Sequence, residues 1–321
     1  MDQWRRGNAL RNLSLSIRCR RQAQHSSLHQ RKFQPAFRVL RVLLLTGICA
    51  GFAHAQTPSA GLAEVNGTKL YYEMAGSGHA LVLIHGGGVD RRLWDGQFAE
   101  FAKHFRVIRY DLRGSGKSEV PQTRYSNGED LRALLQYLKA DKAYLLGLSR
   151  GGGVAFDLTV NHPEMVDALI LVSSNLSNLP EVYHTMIASA AKAGREEGIA
   201  RAAEIWSSDP YQGPVQPNLP ARQKVAAIMR ENLATFLYFW NGPIAAQPGQ
   251  RPASQRLTEV RVPTLVIAGE RDAEQARANY DNWAKGIPGA KKVVVPGAAH
   301  LVNMDQPKEF VRIVVDFLKS L

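Results

Sequence analysis

Cysteine is nearly absent from this 321-residue chain: Cys19 and Cys49 are the two, and none follows. That excludes a disulfide-stapled scaffold for everything beyond residue 49. Acidic residues are scarce at the start. Residues 1–55 hold Asp2 against nine arginines and Lys32, so +9 of the net +12 sits there and the remaining 266 residues carry only +3. A nearly neutral body does not present the basic face that a nucleic-acid partner requires. The uncharged apolar run Val42 to Ala53 is shorter than the about 20 residues needed to cross a bilayer. The histidines lack paired ligand spacing, so no metal site is expected. Gly114-Ser115-Gly116-Lys117-Ser118 ends like a phosphate-binding loop, but the glycine that pattern needs five residues before Gly116 is Asp111, so no nucleotide is implied.

What the first 55 residues do contain reads as a processing segment. Arg38 and Arg41 precede the apolar run, and Ala53-His54-Ala55 has the small-x-small form that a signal peptidase accepts. The expectation is export, to the periplasm or as a secreted protein, with cleavage after Ala55 and no stable membrane insertion afterwards. A later translation start, or an arginine- and serine-rich transit peptide, are the alternatives.

From Gln56 the pattern alternates. Short continuous apolar runs at 81–84, 105–110, 143–148, 167–172, 264–268 and 292–295 have the character of buried parallel strands. Amphipathic stretches at 129–140, 150–161, 274–286 and 306–320 fall between and after them as helices. Such alternation predicts βαβ units and an α/β fold with a parallel sheet. Glu64 to Ala75, with Asn66-Gly67 at its centre, predicts an antiparallel hairpin at the sheet edge. Between about 175 and 258 the strand rhythm lapses. Helix-prone stretches at 187–203 and 222–239 carry Trp206, Phe236, Tyr238, Phe239 and Trp240. The reading is a leader at 1–55, a first core part at 56–174, a helical cap at 175–258 and a second core part at 259–321. The cap's aromatic residues can form a small core of its own and a roof over a site at once, and the roof is the favoured reading.

The chemistry-bearing residues gather at strand ends. Gly147-Leu148-Ser149-Arg150-Gly151 joins the third run to a helix, and a turn tight enough to lift one side chain above the sheet leaves no room for bulk two positions either side. Ser149 is the candidate nucleophile. It needs a base and a group that orients that base. His300 is the only histidine after His184 and follows the last strand run. Asp272 follows the run 264–268, with Glu270 and Glu274 as competing acids nearby. The order Ser149, Asp272, His300 is nucleophile, acid, base. His85-Gly86-Gly87-Gly88 ends the first core strand and offers backbone donors to an oxyanion, Gly87 first and Gly88 second. The other donor is the N–H of Arg150, at the head of the helix behind the serine. His85 is expected to organise this loop.

These motifs, with Trp94 and the block Asp111-Leu112-Arg113-Gly114-Ser115-Gly116-Lys117-Ser118, resemble the α/β-hydrolase superfamily over residues 62–321. The resemblance implies an eight-stranded mostly parallel sheet with an inserted cap and no cofactor, and it makes the Asp111–Ser118 block a structural loop. Arg150 stands where Met, Gln or Trp is common in that superfamily. The expected activity is hydrolysis of a small-molecule carboxylic ester through a Ser-His-Asp triad. Cleavage of a lactone, an amide or a carbon–carbon bond, acyl transfer or perhydrolysis, and non-catalytic ligand binding on the same fold are the alternatives.

Overall fold

The computed structural model describes residues 58–321 except 175–180, 212, 215–217 and 241–250. The leader expected at 1–55, and its cleavage site, lie outside the described residues.

The chain opens with the hairpin. Strands β1 (Ser59–Val65) and β2 (Thr68–Ala75) pair antiparallel in register from Ser59 opposite Met74 to Val65 opposite Thr68. Asn66 and Gly67 both take positive φ, 46° and 68°, as the two-residue turn that matches strand twist requires. Then come β3 (Ala80–Ile84), α1 (Asp95–Phe101), β4 (Arg106–Tyr110), α2 (Asn127–Tyr137), β5 (Ala143–Leu148), α3 (Arg150–Asn161) and β6 (Val166–Val172). After a helical insertion the chain resumes with β7 (Thr264–Gly269), α7 (Glu274–Gly286), β8 (Lys291–Val295), α8 (Val302–Asp305) and α9 (Pro307–Lys319). The eight strands form one sheet in the order β1-β2-β4-β3-β5-β6-β7-β8. β2 runs antiparallel to both its neighbours, and every pair from β4 to β8 is parallel.

Alternate residues of one strand face opposite layers. Leu81 and Leu83 of β3 enter one apolar cluster with Phe101, Phe310 and Val314. Val82 and Ile84 enter the other with Leu131, Leu135 and Phe156. Both faces are covered, which is why these strands read as unbroken apolar runs.

Two helix boundaries differ from the sequence expectation for local reasons. α2 begins at Asn127 rather than 129, because the Ser126 hydroxyl accepts the N–H of Glu129 at 3.3 Å. It closes before Lys139, whose φ is 54°. The stretch expected to run through 187–203 is two helices, α4 (Glu181–Glu196) and α5 (Ile199–Ser208), parted at Gly198 with φ 95°.

α4, α5 and α6 (Leu219–Trp240) are the α-helices of the described part of the insertion between β6 and β7. They do not keep a separate core. Met186, Ala190, Trp206, Ile228, Leu233 and Phe236 belong to the same buried cluster as β3, β5 and α9. Polar ties anchor them further. The Asn232 amide donates to Asp90 at 2.8 Å and accepts the N–H of Gly116 at 2.6 Å, and Arg92 pairs with Glu231 at 2.8 Å. The side chains of Tyr238, Phe239 and Trp240, counted in the roof from sequence, lie outside the described residues.

The Asp111–Ser118 loop is turned on itself. Asp111 is fully buried and accepts the N–H groups of Arg91 and Lys117, both at 2.9 Å, and the Arg91 guanidinium at 2.8 Å. Burial pushes its carboxyl up to about 6, so it is still ionised at neutral pH.

Candidate active site

Because β3, β5, β6, β7 and β8 are parallel, the loops that follow them leave from one edge of the sheet, where open α/β sheets bind ligands. That edge carries all six residues singled out from sequence. Gly87 and Gly88 follow β3, Ser149 and Arg150 follow β5, Asp272 follows β7 and His300 follows β8.

Ser149 caps α3 with φ 53° and ψ −116°, a conformation that costs a residue with a Cβ about 1–3 kcal/mol. It is held there by its own backbone. Its N–H donates to Val172 at 2.9 Å and its carbonyl accepts the N–H of Gly152 at 3.0 Å. Close approach explains the flanking glycines: a Cβ on Gly147 would lie 2.2 Å from the Gly151 carbonyl oxygen, and one on Gly151 2.3 Å from that of Ile84. The loop after β3 lies against this turn. A Cβ on Gly86 would be 3.6 Å from the Ser149 Cβ.

His85 fixes that loop. Its Nδ1–H donates to the Gly86 carbonyl at 2.8 Å and its Nε2 accepts the N–H of Leu112 at 3.0 Å. Burial lowers its pKa to about 4, so the ring is neutral at neutral pH and both nitrogens are committed to structure.

His300 and Asp272 are brought together, each 2% exposed. Nδ1–H of His300 donates to Asp272 Oδ2 at 3.0 Å. With the ring proton held by the carboxylate, the lone pair is on Nε2, which is buried and has no hydrogen-bond partner among the described residues. No hydrogen bond joins Ser149 to this ring. Among the three acids weighed from sequence, the geometry separates Asp272 from Glu270, which instead accepts the N–H of Gly297 at 2.9 Å.

Two residues that sequence reasoning missed complete the acid's surroundings. Tyr280 of α7 donates its hydroxyl to Asp272 Oδ2 at 2.8 Å, and Tyr183 of α4 donates to Oδ1, which also accepts the Ala273 N–H at 2.8 Å. Burial, reinforced by the Asp272 charge, raises both phenols, so they stay protonated donors. Tyr183 also meets the His300 ring edge-on, with centroids 5.5 Å apart. A carboxylate with four donors is fixed in one orientation, and it can in turn orient a base.

Phe236 of α6 covers the loop after β3: a Cβ on Gly87 would lie 2.6 Å from its Cε2. The ring also packs against Trp206, centroids 5.6 Å apart. Among the described residues no group of three or more His, Cys, Asp or Glu is placed to hold a metal ion.

The family profile described as the alpha/beta hydrolase fold matches residues 79–307. The enol-lactonase of Burkholderia xenovorans LB400 is 28% identical with a TM-score of 0.69, over 81% of this chain and 100% of its own. A thermophilic esterase of Thermogutta terrifontis is 28% identical with a TM-score of 0.68, over 82% and 98%. A 2-hydroxy-6-oxo-6-(2'-aminophenyl)hexa-2,4-dienoic acid hydrolase of Metapseudomonas resinovorans is 26% identical over 79% of this chain and 89% of its own.

Proposed function

The chain belongs to the alpha/beta hydrolase fold family and is a hydrolase, and from that premise we propose that it cleaves small carboxylic esters through an acyl-enzyme on Ser149. The observation that carries this reading is the His300 ring, bonded through Nδ1 to a fully oriented carboxylate while Nε2 is buried and unpartnered among the described residues. In the proposed mechanism Ser149 Oγ attacks the acyl carbonyl as Nε2 takes its proton. Asp272 stabilises the imidazolium that results. The N–H groups of Arg150 and Gly87, with Gly88 next, receive the oxyanion at the head of α3, where the helix dipole also favours negative charge. His300 then protonates the leaving alcohol, and in the second half it deprotonates a water that releases the acid.

A second reading, opening of a lactone by the same steps, is supported by the likeness to an enol-lactonase. It differs only in that the leaving alcohol stays attached to the product.

Labelling tests the nucleophile. A fluorophosphonate is expected to modify one serine, located at Ser149 by peptide mass spectrometry, and a panel of esters and lactones then separates the two readings. Labelling at another serine removes the proposal.

The buried tyrosine on the acid yields a graded prediction. Tyr183→Phe removes one of four donors to Asp272 without opening a cavity. It is expected to lower kcat about tenfold, roughly 1.4 kcal/mol of barrier, with KM little changed. An equal change in KM would assign Tyr183 to substrate binding instead.

A further inference from the structure

The backbone of Arg150 has a part in the proposed reaction, but its side chain has none. A half-buried guanidinium is costly unless a carboxylate neutralises it, and the neighbouring arginines meet that condition. Arg91 pairs with Glu73 and Asp111, Arg92 with Asp90 and Glu231, Arg109 with Glu73 and Asp95, and Arg113 with Asp130.

Arg150 makes no ion pair among the described residues. Among those residues its guanidinium reaches only the Tyr125 hydroxyl, at 3.3 Å, and the face of Phe236, 5.9 Å from the ring centroid. Nor does sequence offer it an acid elsewhere in the body: residues 175–180, 212, 215–217 and 241–250 contain no Asp or Glu.

The position matters as much as the missing partner. Arg150 directly follows the candidate nucleophile, and the ring it touches is the one seated on Gly87. The cation therefore borders the same aromatic surface as the expected oxyanion donor. A guanidinium presents a planar fork of N–H donors matched to a carboxylate, and one hydroxyl leaves most of that fork unused.

We propose that Arg150 is the receptor for a carboxylate on the substrate, so that the ester or lactone this protein cleaves is an anion, a half-ester of a dicarboxylic acid or its cyclic counterpart. This rests on the acyl-enzyme reading and adds the substrate class to it. The carboxylate locks onto the fork beside Ser149 and sets the distance between the charged end and the scissile carbonyl. Where Met, Gln or Trp follows the nucleophile, the backbone donor is the same but this charge is absent.

The test compares monomethyl esters of C4 to C6 dicarboxylic acids with methyl esters of monocarboxylic acids of equal length. The scissile bond is identical in the two sets. Wild-type kcat/KM is expected to favour the half-esters by about 100-fold, as a site built around a charged hydrogen-bond partner should. In Arg150→Gln that ratio is expected to fall below about 10, and in Arg150→Lys to settle between, since an ammonium keeps the charge and loses the fork. Glutarate is expected to inhibit the wild type competitively, and the glutamine variant at least tenfold more weakly.

A wild type that does not favour the half-esters overturns the proposal. So does a ratio unchanged in Arg150→Gln, or an equal loss on both ester sets, which would assign the guanidinium to the fold or to the oxyanion. Arg150→Met supplies the same comparison if the glutamine variant does not fold. Failure of the underlying reading looks different: neither ester set is cleaved, and Ser149 takes no fluorophosphonate.

Discussion

Ser149→Ala is expected to lower kcat/KM on any ester the wild type cleaves by roughly 10⁴- to 10⁶-fold, with His300→Ala falling into the same range. The two losses should not add in the double variant, because a nucleophile and the base that activates it act as one unit. Asp272→Asn should be damaging but less so, roughly 10²- to 10⁴-fold. The amide presents a donor as well as an acceptor, so it can hold His300 in the wrong tautomer and cannot balance the imidazolium. Glu270→Gln is the control: Glu270 bonds the Gly297 N–H, not the His300 ring, and its loss should stay within about threefold. The measurement is steady-state turnover on one ester, with circular dichroism to establish that each variant is folded. If Ser149→Ala keeps its turnover, or if Glu270→Gln is the crippling change and Asp272→Asn is mild, the assignment of roles fails.

The second large effect concerns stability rather than rate. Gly151→Ala places a methyl group 2.3 Å from the Ile84 carbonyl oxygen and 2.7 Å from that of His85, both main-chain atoms at the end of β3. Neither can swing aside as a flexible side chain would, so α3 must move off the sheet. The expected cost is at least about 3 kcal/mol, at the upper end of overpacking penalties. Gly153→Ala, two residues along the same helix, meets nothing within 4 Å. There alanine's better helix propensity should make the change neutral or stabilising by up to about 1 kcal/mol. Urea denaturation of the pair checks both signs. A Gly151→Ala midpoint equal to that of the wild type would show that the crowding at the elbow is not what fixes its glycines.

How much of this was legible beforehand depends on how local the signal is. The elbow is local: four glycines within five residues of Ser149, at a strand-to-helix junction, announce a backbone crowded on both sides. His300 stands out by position, since the last strand's loop contains no other histidine. The acid was not settled by sequence, because Asp272 and Glu270 lie two residues apart and periodicity does not say which side chain turns towards β8.

Tyr183 was beyond reach. It contacts Asp272 across 89 positions, from a helix whose start was itself misjudged, and nothing about a tyrosine on an amphipathic helix announces its partner. The break at Gly198 was missed for a related reason, since one glycine in a helical pattern is usually tolerated and only its φ of 95° reveals the turn. Phe236 could not be sorted into core or roof from sequence, and periodicity does not report what the structure shows: a member of the main apolar cluster whose ring edge also rests on Gly87.

The loop from Asp111 to Ser118 can be regarded as a receptor permanently occupied by its own ligand. The Lys117 amide of the loop and the amide and guanidinium of Arg91 converge on an anion, as a phosphate cradle would, but the anion is covalently part of the chain. A tethered group of this kind presents itself at an effective concentration that dilute ions in solution do not match. The likeness to a nucleotide motif is therefore a likeness of physics without a vacancy. The loop spends its affinity on joining β4 to α6 through the Gly116 N–H and Asn232, and that makes it a joint.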